Sequence, residues 1–243
     1  MSNPVQIWWR DDDAGYRSER LDRLLELVRR TGRPLALAVI PARLEPEVTA
    51  AILACDDVVV LQHGWDHADH AADDRKQVEL GGTLGGEACR DRLARGKALL
   101  EHAFGERFLP VLVPPWNRIE APCLATLEAL GFVAVSTFAR DTSAIEFGLA
   151  QVNTHVDLID WQGGRRMKPL SDLLAEVDRL LADPALGTLG LMSHHLDMTQ
   201  ADLDVLEQLF QYLDSLERCR WASLVPLFEP QRKAADATPR RGS

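Results

Sequence analysis

Three adjacent aspartates, Asp11, Asp12 and Asp13, follow the apolar run "VQIWW" near the start of the chain. Adjacent carboxylates repel, and each makes its neighbours harder to ionise. A divalent cation resolves the repulsion. One carboxylate ligates it, and the next stands close enough to take a proton from water. A solvated polar turn is the commoner use of such a pair, but it fits poorly directly after "IWW".

His63 and His67 lie in "HGWDH". On a helical turn, H-x-x-x-H spacing projects both rings from one side, where they can share a cation. Two imidazoles and one carboxylate form a facial set that leaves positions open for water or substrate. His194 and His195 offer a second metal pair, a general acid or structural imidazoles. Adjacent residues on an extended strand point to opposite faces, so one of the two is expected to face the chemistry. Asp160 can orient such a histidine and keep it protonated. Trp65, Trp116 and Trp161, in the same clusters, suit the walls of a substrate pocket.

The elements that must hold these groups alternate. "VQIWW", "PLALAVI", "VVVLQ", "LPVLV", "FVAVST", "QVNTHVDLI" and "TLGLMS" read as strands, with "WASLV" as a last short one. Between them lie helical patterns. Leu21, Leu24, Leu25 and Val28 share one helix face, and Gly32 ends that helix. A later helix is expected to start at a Ser171 cap. About seven or eight such units in one chain suit a (β/α) barrel, although an open doubly wound sheet alternates similarly. "RDDD", "HGWDH", "PPWNR", "DW" and "HH" each follow the C-terminal end of a strand. In a parallel sheet those ends share one face, where active sites sit.

Composition narrows the classes. The 243 residues are 46% hydrophobic and 26% charged, with net charge -10, so no basic patch dominates and nucleic acid is disfavoured as a partner. Cys55, Cys89, Cys123 and Cys219 lack C-x-x-C pairing, which argues against a disulfide framework and a cysteine metal site. Neither a secretory signal nor an apolar run of spanning length is read, so a cytoplasmic protein without membrane partners is expected. Residues 1–230 read as one catalytic barrel domain, and 231–243 as a polar, disordered tail. The oligomeric state is left open.

In this order the clusters resemble the polysaccharide deacetylase family. "DD" at Asp12 and Asp13 matches its Asp-Asp motif, "HGWDH" its His-x-x-x-His motif, and "PPW" its Pro-rich third motif. "DW" and "LMSH" match its fourth and fifth. The resemblance implies an α/β fold of distorted (β/α)7-type barrel form and one divalent metal, zinc or else cobalt, nickel or manganese. It implies Asp13, His63 and His67 as metal ligands, Asp12 as general base, and His194 as general acid tuned by Asp160. Trp65, Pro115, Trp116, Arg118, Trp161 and His195 would then contact a carbohydrate or small-molecule substrate. The implied reaction is hydrolysis of an N-acetyl or other N-acyl group.

The match departs from the family at four places. Ala14 stands for a usual Gly, Gly64 for Ser or Thr, and His195 for a frequent Asp. Val113 replaces an Arg that commonly contacts the catalytic aspartate, with Arg10 and Arg118 as possible substitutes. A one-residue shift within "DDD" would promote Asp11. Two rival readings stay open: a metal-dependent hydrolase of another small amide or cyclic imide, and a carbohydrate-binding protein that has lost catalysis.

Overall fold

The computed structural model describes residues 4–72 and 75–229; the tail expected at 231–243 lies outside the described residues. Strands and helices alternate as β1 (Val5–Ala14), α1 (Glu19–Thr31), β2 (Leu35–Val39), α2 (Pro46–Leu53) and β3 (Val58–His63). There follow α3 (Gly86–Phe104), β4 (Phe108–Val113), α4 (Ala121–Leu127), β5 (Ala134–Val135), β6 (Ala150–Gln151) and β7 (Val156–Asp157). The described residues close with β8 (Ile159–Asp160), β9 (Arg166–Met167), α5 (Leu170–Leu181), β10 (Thr188–Ser193), α6 (Gln200–Ser215), β11 (Cys219–Trp221) and α7 (Leu224–Phe228).

The main sheet is parallel throughout, ordered β6-β5-β4-β3-β2-β1-β10-β7, with β11 added to β1. Its two ends belong to one stretch of chain. Val152 and Thr154 donate backbone N–H bonds to Val135 and Thr137 beside β5, and His155 and Leu158 donate to Gly190 and Met192 of β10. That stretch therefore serves as the seventh stave and closes the sheet into a distorted (β/α)7 barrel.

Alternation along β1 sorts its residues between two cores. Trp8 points into the barrel with Ala36, Ala38, Leu61, Val111, Val113 and Ala134, and α7 closes that end with Phe228 edge-on to Trp8 at 5.3 Å. The interior admits an indole because its neighbours are small: a Cβ on Gly190 would lie 2.5 Å from Trp8 Nε1. Ile7 and Trp9 point outward into the larger core under α1 and α6, where Trp9 meets Phe210 at 5.0 Å. Burying each such large side chain stabilises the fold by roughly 1.5–3 kcal/mol.

Local signals set the helix ends. The Ser18 side chain accepts the Leu21 N–H, and Gly32 takes the left-handed conformation that closes α1. Thr199 and Asp202 form a capping box on α6. Several sequence expectations need correction. α5 begins at Leu170 with Pro169 at its N-cap, so Ser171 lies inside the first turn, where its hydroxyl bonds the Asp172 carboxylate instead of capping the helix. "WASLV" divides, with Trp221 ending β11 and Leu224 already helical. Cys89 of α3 and Cys123 of α4 pair as a disulfide with Cα atoms 5.8 Å apart, because the packing of two helices brings together residues that sequence spacing cannot relate. Among the described residues, no helix is long and apolar enough to cross a membrane.

Candidate metal and catalytic site

The C-terminal ends of the staves open into a cavity of about 530 Å³, lined among others by Asp12, Asp13, His63, His67, Trp116 and His194. The three aspartates of β1 diverge there. Asp12 follows Trp8 and Arg10 on the inward face. Asp11 faces outward, buried beside His195. The ladder to β2 shifts register between Asp11 and Ala14, and Asp13 adopts φ 74°. A bulge of this kind re-aims a side chain, and it turns Asp13 toward the histidines.

Asp13 Oδ1 lies 3.2 Å from His63 Nε2 and 3.3 Å from His67 Nε2. His63 Nδ1–H donates to the Val113 carbonyl at 2.9 Å, which fixes the tautomer and leaves Nε2 free to ligate. Among the described residues these three form the one cluster whose ligand atoms, all within 4.8 Å of one another, could hold a metal ion. Burial opposes ionisation of Asp13, but the His63 hydrogen bond and the charge of the imidazoles outweigh it and hold its carboxyl well below the ordinary range. Burial also opposes protonation of His63, yet Asp13 and Asp12 raise it overall. His67 is pushed down to about 4 by burial, reinforced by His63, and is neutral at pH 7 as a ligand must be. An oxygen and two nitrogens in this disposition fit a divalent transition ion.

Arg10, fully buried, grips Asp12 with two bonds: Nε–H to Oδ1 at 2.8 Å and Nη2–H to Oδ2 at 3.0 Å. Its other contacts are the Ser136 hydroxyl and carbonyl, the Thr137 carbonyl, Asn117 Oδ1 and Met192 Sδ. Of the two possible substitutes for the arginine missing at Val113, the structure therefore favours Arg10. Arg118 lines the cavity instead, with Nη1–H donated to the Gln77 carbonyl.

Strain is concentrated here. Six described residues other than glycine have positive φ, and five of them, Asp13, His67, Trp116, Asn117 and Arg165, line this cavity. Such conformations cost of order 1–3 kcal/mol each and persist where surroundings over-determine them. Glu79, buried and unremarked in the sequence, supplies part of that determination. Its carboxylate accepts backbone N–H bonds from Trp65, Asp66 and His67. Gly64 makes room: a Cβ there would sit 2.3 Å from Glu79 Oε2. Burial pushes the Glu79 carboxyl up against the pull of those N–H groups.

His194 Nε2 lies 4.0 Å from Asp12 Oδ2, and Trp161 stands edge-on to its ring at 4.8 Å. Trp116 packs similarly on His67 at 4.3 Å. The remaining expected residues sit elsewhere. Asp160 does not line the cavity. It belongs to the β8–β9 hairpin, where its carboxylate accepts the N–H groups of Gln162 and Gly163 in a tight turn. The barrel stave ends earlier, at Asp157. That residue lines the cavity, accepts the Trp161 Nε1–H at 2.7 Å and feels the charge of His194. Burial raises its carboxyl pKa. Trp65 lies under Arg95 at 4.7 Å, outside the cavity lining. Pro115 is buried beside Gly64, and His195 is buried against Asp11. Asp157 and Glu79 carry no motif that the sequence could have signalled, whereas Asn117 lies within the "PPWNR" cluster but was not singled out.

No protein-family model matches the chain, and no curated protein matches it. Solved structures do. A protein from Mycobacterium smegmatis assigned as a polysaccharide deacetylase superposes with TM-score 0.66 at 15% identity, over 93% of this chain and 90% of that one. The fold is that of the polysaccharide deacetylases. A family 4 acetyl xylan esterase from Clostridium thermocellum, solved with cobalt, gives TM-score 0.61 at 13% identity, covering 92% of this chain and 90% of its own. A mutant of the family 4 pseudoenzyme BA3943 gives 0.62 at 16%, covering 94% and 69%. At these identities the likeness concerns architecture, and the same architecture serves enzymes and a pseudoenzyme alike.

Proposed function

We propose that this protein is a divalent-metal-dependent hydrolase that removes an acyl group, in the first instance acetyl, from the nitrogen of a sugar or related small molecule. The observation that carries the reading is the convergence of Asp13, His63 and His67 beside Asp12 and His194 in one cavity. A fold retained only for binding needs neither the ligand set nor the acid and base. The cavity also falls within the ordinary range for small-ligand pockets, about 300–1,000 Å³.

Asp13, His63 and His67 would hold the ion, zinc or a similar transition metal. When bound, such an ion supplies Lewis-acid polarisation of the acyl carbonyl and makes water more acidic. Asp12 takes the proton of the attacking water, held in place by the Arg10 fork. His194 donates a proton to the departing nitrogen, because an amine leaves poorly unless protonated. Trp161 and Trp116 wall the site, each standing edge-on to one of the two histidine rings. Asp157 fixes the Trp161 indole and so the face it presents to His194.

A panel of N-acetyl sugars, small linear amides and cyclic imides tests this with the zinc-loaded protein. Acetate release from the sugars is the expected result. Cleavage confined to the other amides would reassign the substrate class. Binding of sugars without turnover would make the protein a carbohydrate-binding relative of the solved pseudoenzyme.

A further inference from the structure

The proposed chemistry leaves a buried polar group unused. Asp11 is fully buried, and His195 is 1% exposed. His195 Nδ1–H donates to Asp11 Oδ1, the Ser193 hydroxyl donates to Asp11 Oδ2 at 2.6 Å, and Trp9 Nε1–H donates to the Ser193 oxygen at 2.8 Å. The far nitrogen of His195, also buried, has no partner among the described residues, so the ring's one polar attachment is Asp11. Burying these groups on the outward face of the barrel serves no packing purpose that Phe or Leu would not serve better.

Its place on the strands explains it. The backbone ladder between β1 and β10 ends at the pair Asp11 and Ser193. The ladder between β1 and β2 is interrupted between Asp11 and Ala14. Asp12 and Asp13 thus lie in the one part of β1 that is paired on neither side, and His194 lies just past the end of β10. The side-chain network begins at the position where the backbone network stops.

We propose that Asp11, Ser193 and His195 are positioning residues, a strut that fixes Asp12 and Asp13 against His194 across the end of the ladder. The strut acts through the backbone on both sides of the site and touches no reactant. It rests on the proposed function only for its kinetic consequence.

The decisive variant is the double replacement Asp11→Leu with His195→Leu. Removing both partners leaves no buried charge unpaired, so folding and Tm are expected near wild type. With substrate, kcat falls about 10²-fold while KM stays level, as for an ångström-scale misplacement of acid and base. Without substrate, Zn²⁺ affinity measured by chelator competition falls about tenfold, because Asp13 lies beyond the same anchor. His195→Asn, which keeps a donor near Nδ1, recovers much of both. Should the double variant not fold, Ser193→Ala reads the same strut with a one-atom deletion and is expected to lower kcat several-fold. A folded double variant with wild-type kcat and wild-type Zn²⁺ affinity would overturn the proposal. If the wild-type protein itself turns over no substrate, the proposed function fails, and the Zn²⁺ comparison alone decides the strut.

Discussion

Arg10 and Asp12 form a two-bond ion pair within a single strand, two positions apart, both pointing into the barrel. The polysaccharide deacetylase motif places its aspartate-contacting arginine on another strand, where this chain has Val113. Here β1 carries both members. Arg10→Ala would leave Asp12 charged and buried without a partner and is expected to cost about 3–5 kcal/mol of stability. Arg10→Lys keeps the charge but loses the planar fork. It should fold with reduced Tm and lose activity about tenfold or more, and denaturation beside kinetics separates the two effects.

Asp157 and Asp160 give a contrast between sequence and structure. Asp157→Asn disturbs the acceptor of the Trp161 indole and a charge near His194, so a kcat loss of about tenfold or more is expected. Asp160→Asn retains a turn-forming side chain in the hairpin and should stay within about twofold of wild type. Parallel kinetics on the two variants checks this, and the reverse order would restore Asp160 to the role the sequence suggested.

That contrast shows what was legible. Strand alternation, helix faces and the clustering of polar residues at strand ends pointed to a barrel with its polar clusters on one face; the structure has the barrel and gathers Asp12, Asp13, His63, His67 and His194 around one cavity. His194 lines the cavity and His195 packs against Asp11, but both lie past the end of β10, His195 in a short helical turn, so the strand alternation assumed from the sequence is not what separates them. The orientation of the aspartates was not legible either, because the bulge at Asp13 and its positive φ come from pairing with β2, a tertiary fact. Asp157 was missed because the strand was read to run on through Ile159. Glu79 was missed because a lone glutamate in a polar loop carries no pattern; its function arises from three backbone N–H groups that only the folded loop aims at it.

Metal should stabilise the fold. Zinc at about one hundred times its Kd contributes roughly 2.7 kcal/mol to the native state, and the corresponding rise in Tm is readily measured. His63→Ala and His67→Ala should abolish that rise, as should Asp13→Ala. A zinc-induced shift of undiminished size in all three would place the ion elsewhere.

Acid stability has a separate source in Asp141. Burial opposes its ionisation, but the Ser143 N–H and the Thr137 hydroxyl outweigh that and hold its pKa below the ordinary value. A depressed folded pKa means that its stabilising contribution is complete above the unfolded value and is lost as pH falls through the folded one. Asp141→Asn should therefore be less stable than wild type at pH 7, with the gap in Tm closing as pH falls below about 4. A gap independent of pH would remove Asp141 from the acid transition.

The most direct measurement of the central claim is acetate released from N-acetyl sugars by zinc-loaded wild type and by Asp12→Asn at equal metal content. The proposed function predicts stoichiometric acetate from wild type and a loss of about 10²–10⁴-fold in the variant, with zinc still bound. Equal rates in the two proteins, or full zinc occupancy in wild type with no acetate from any N-acetyl sugar, would contradict it.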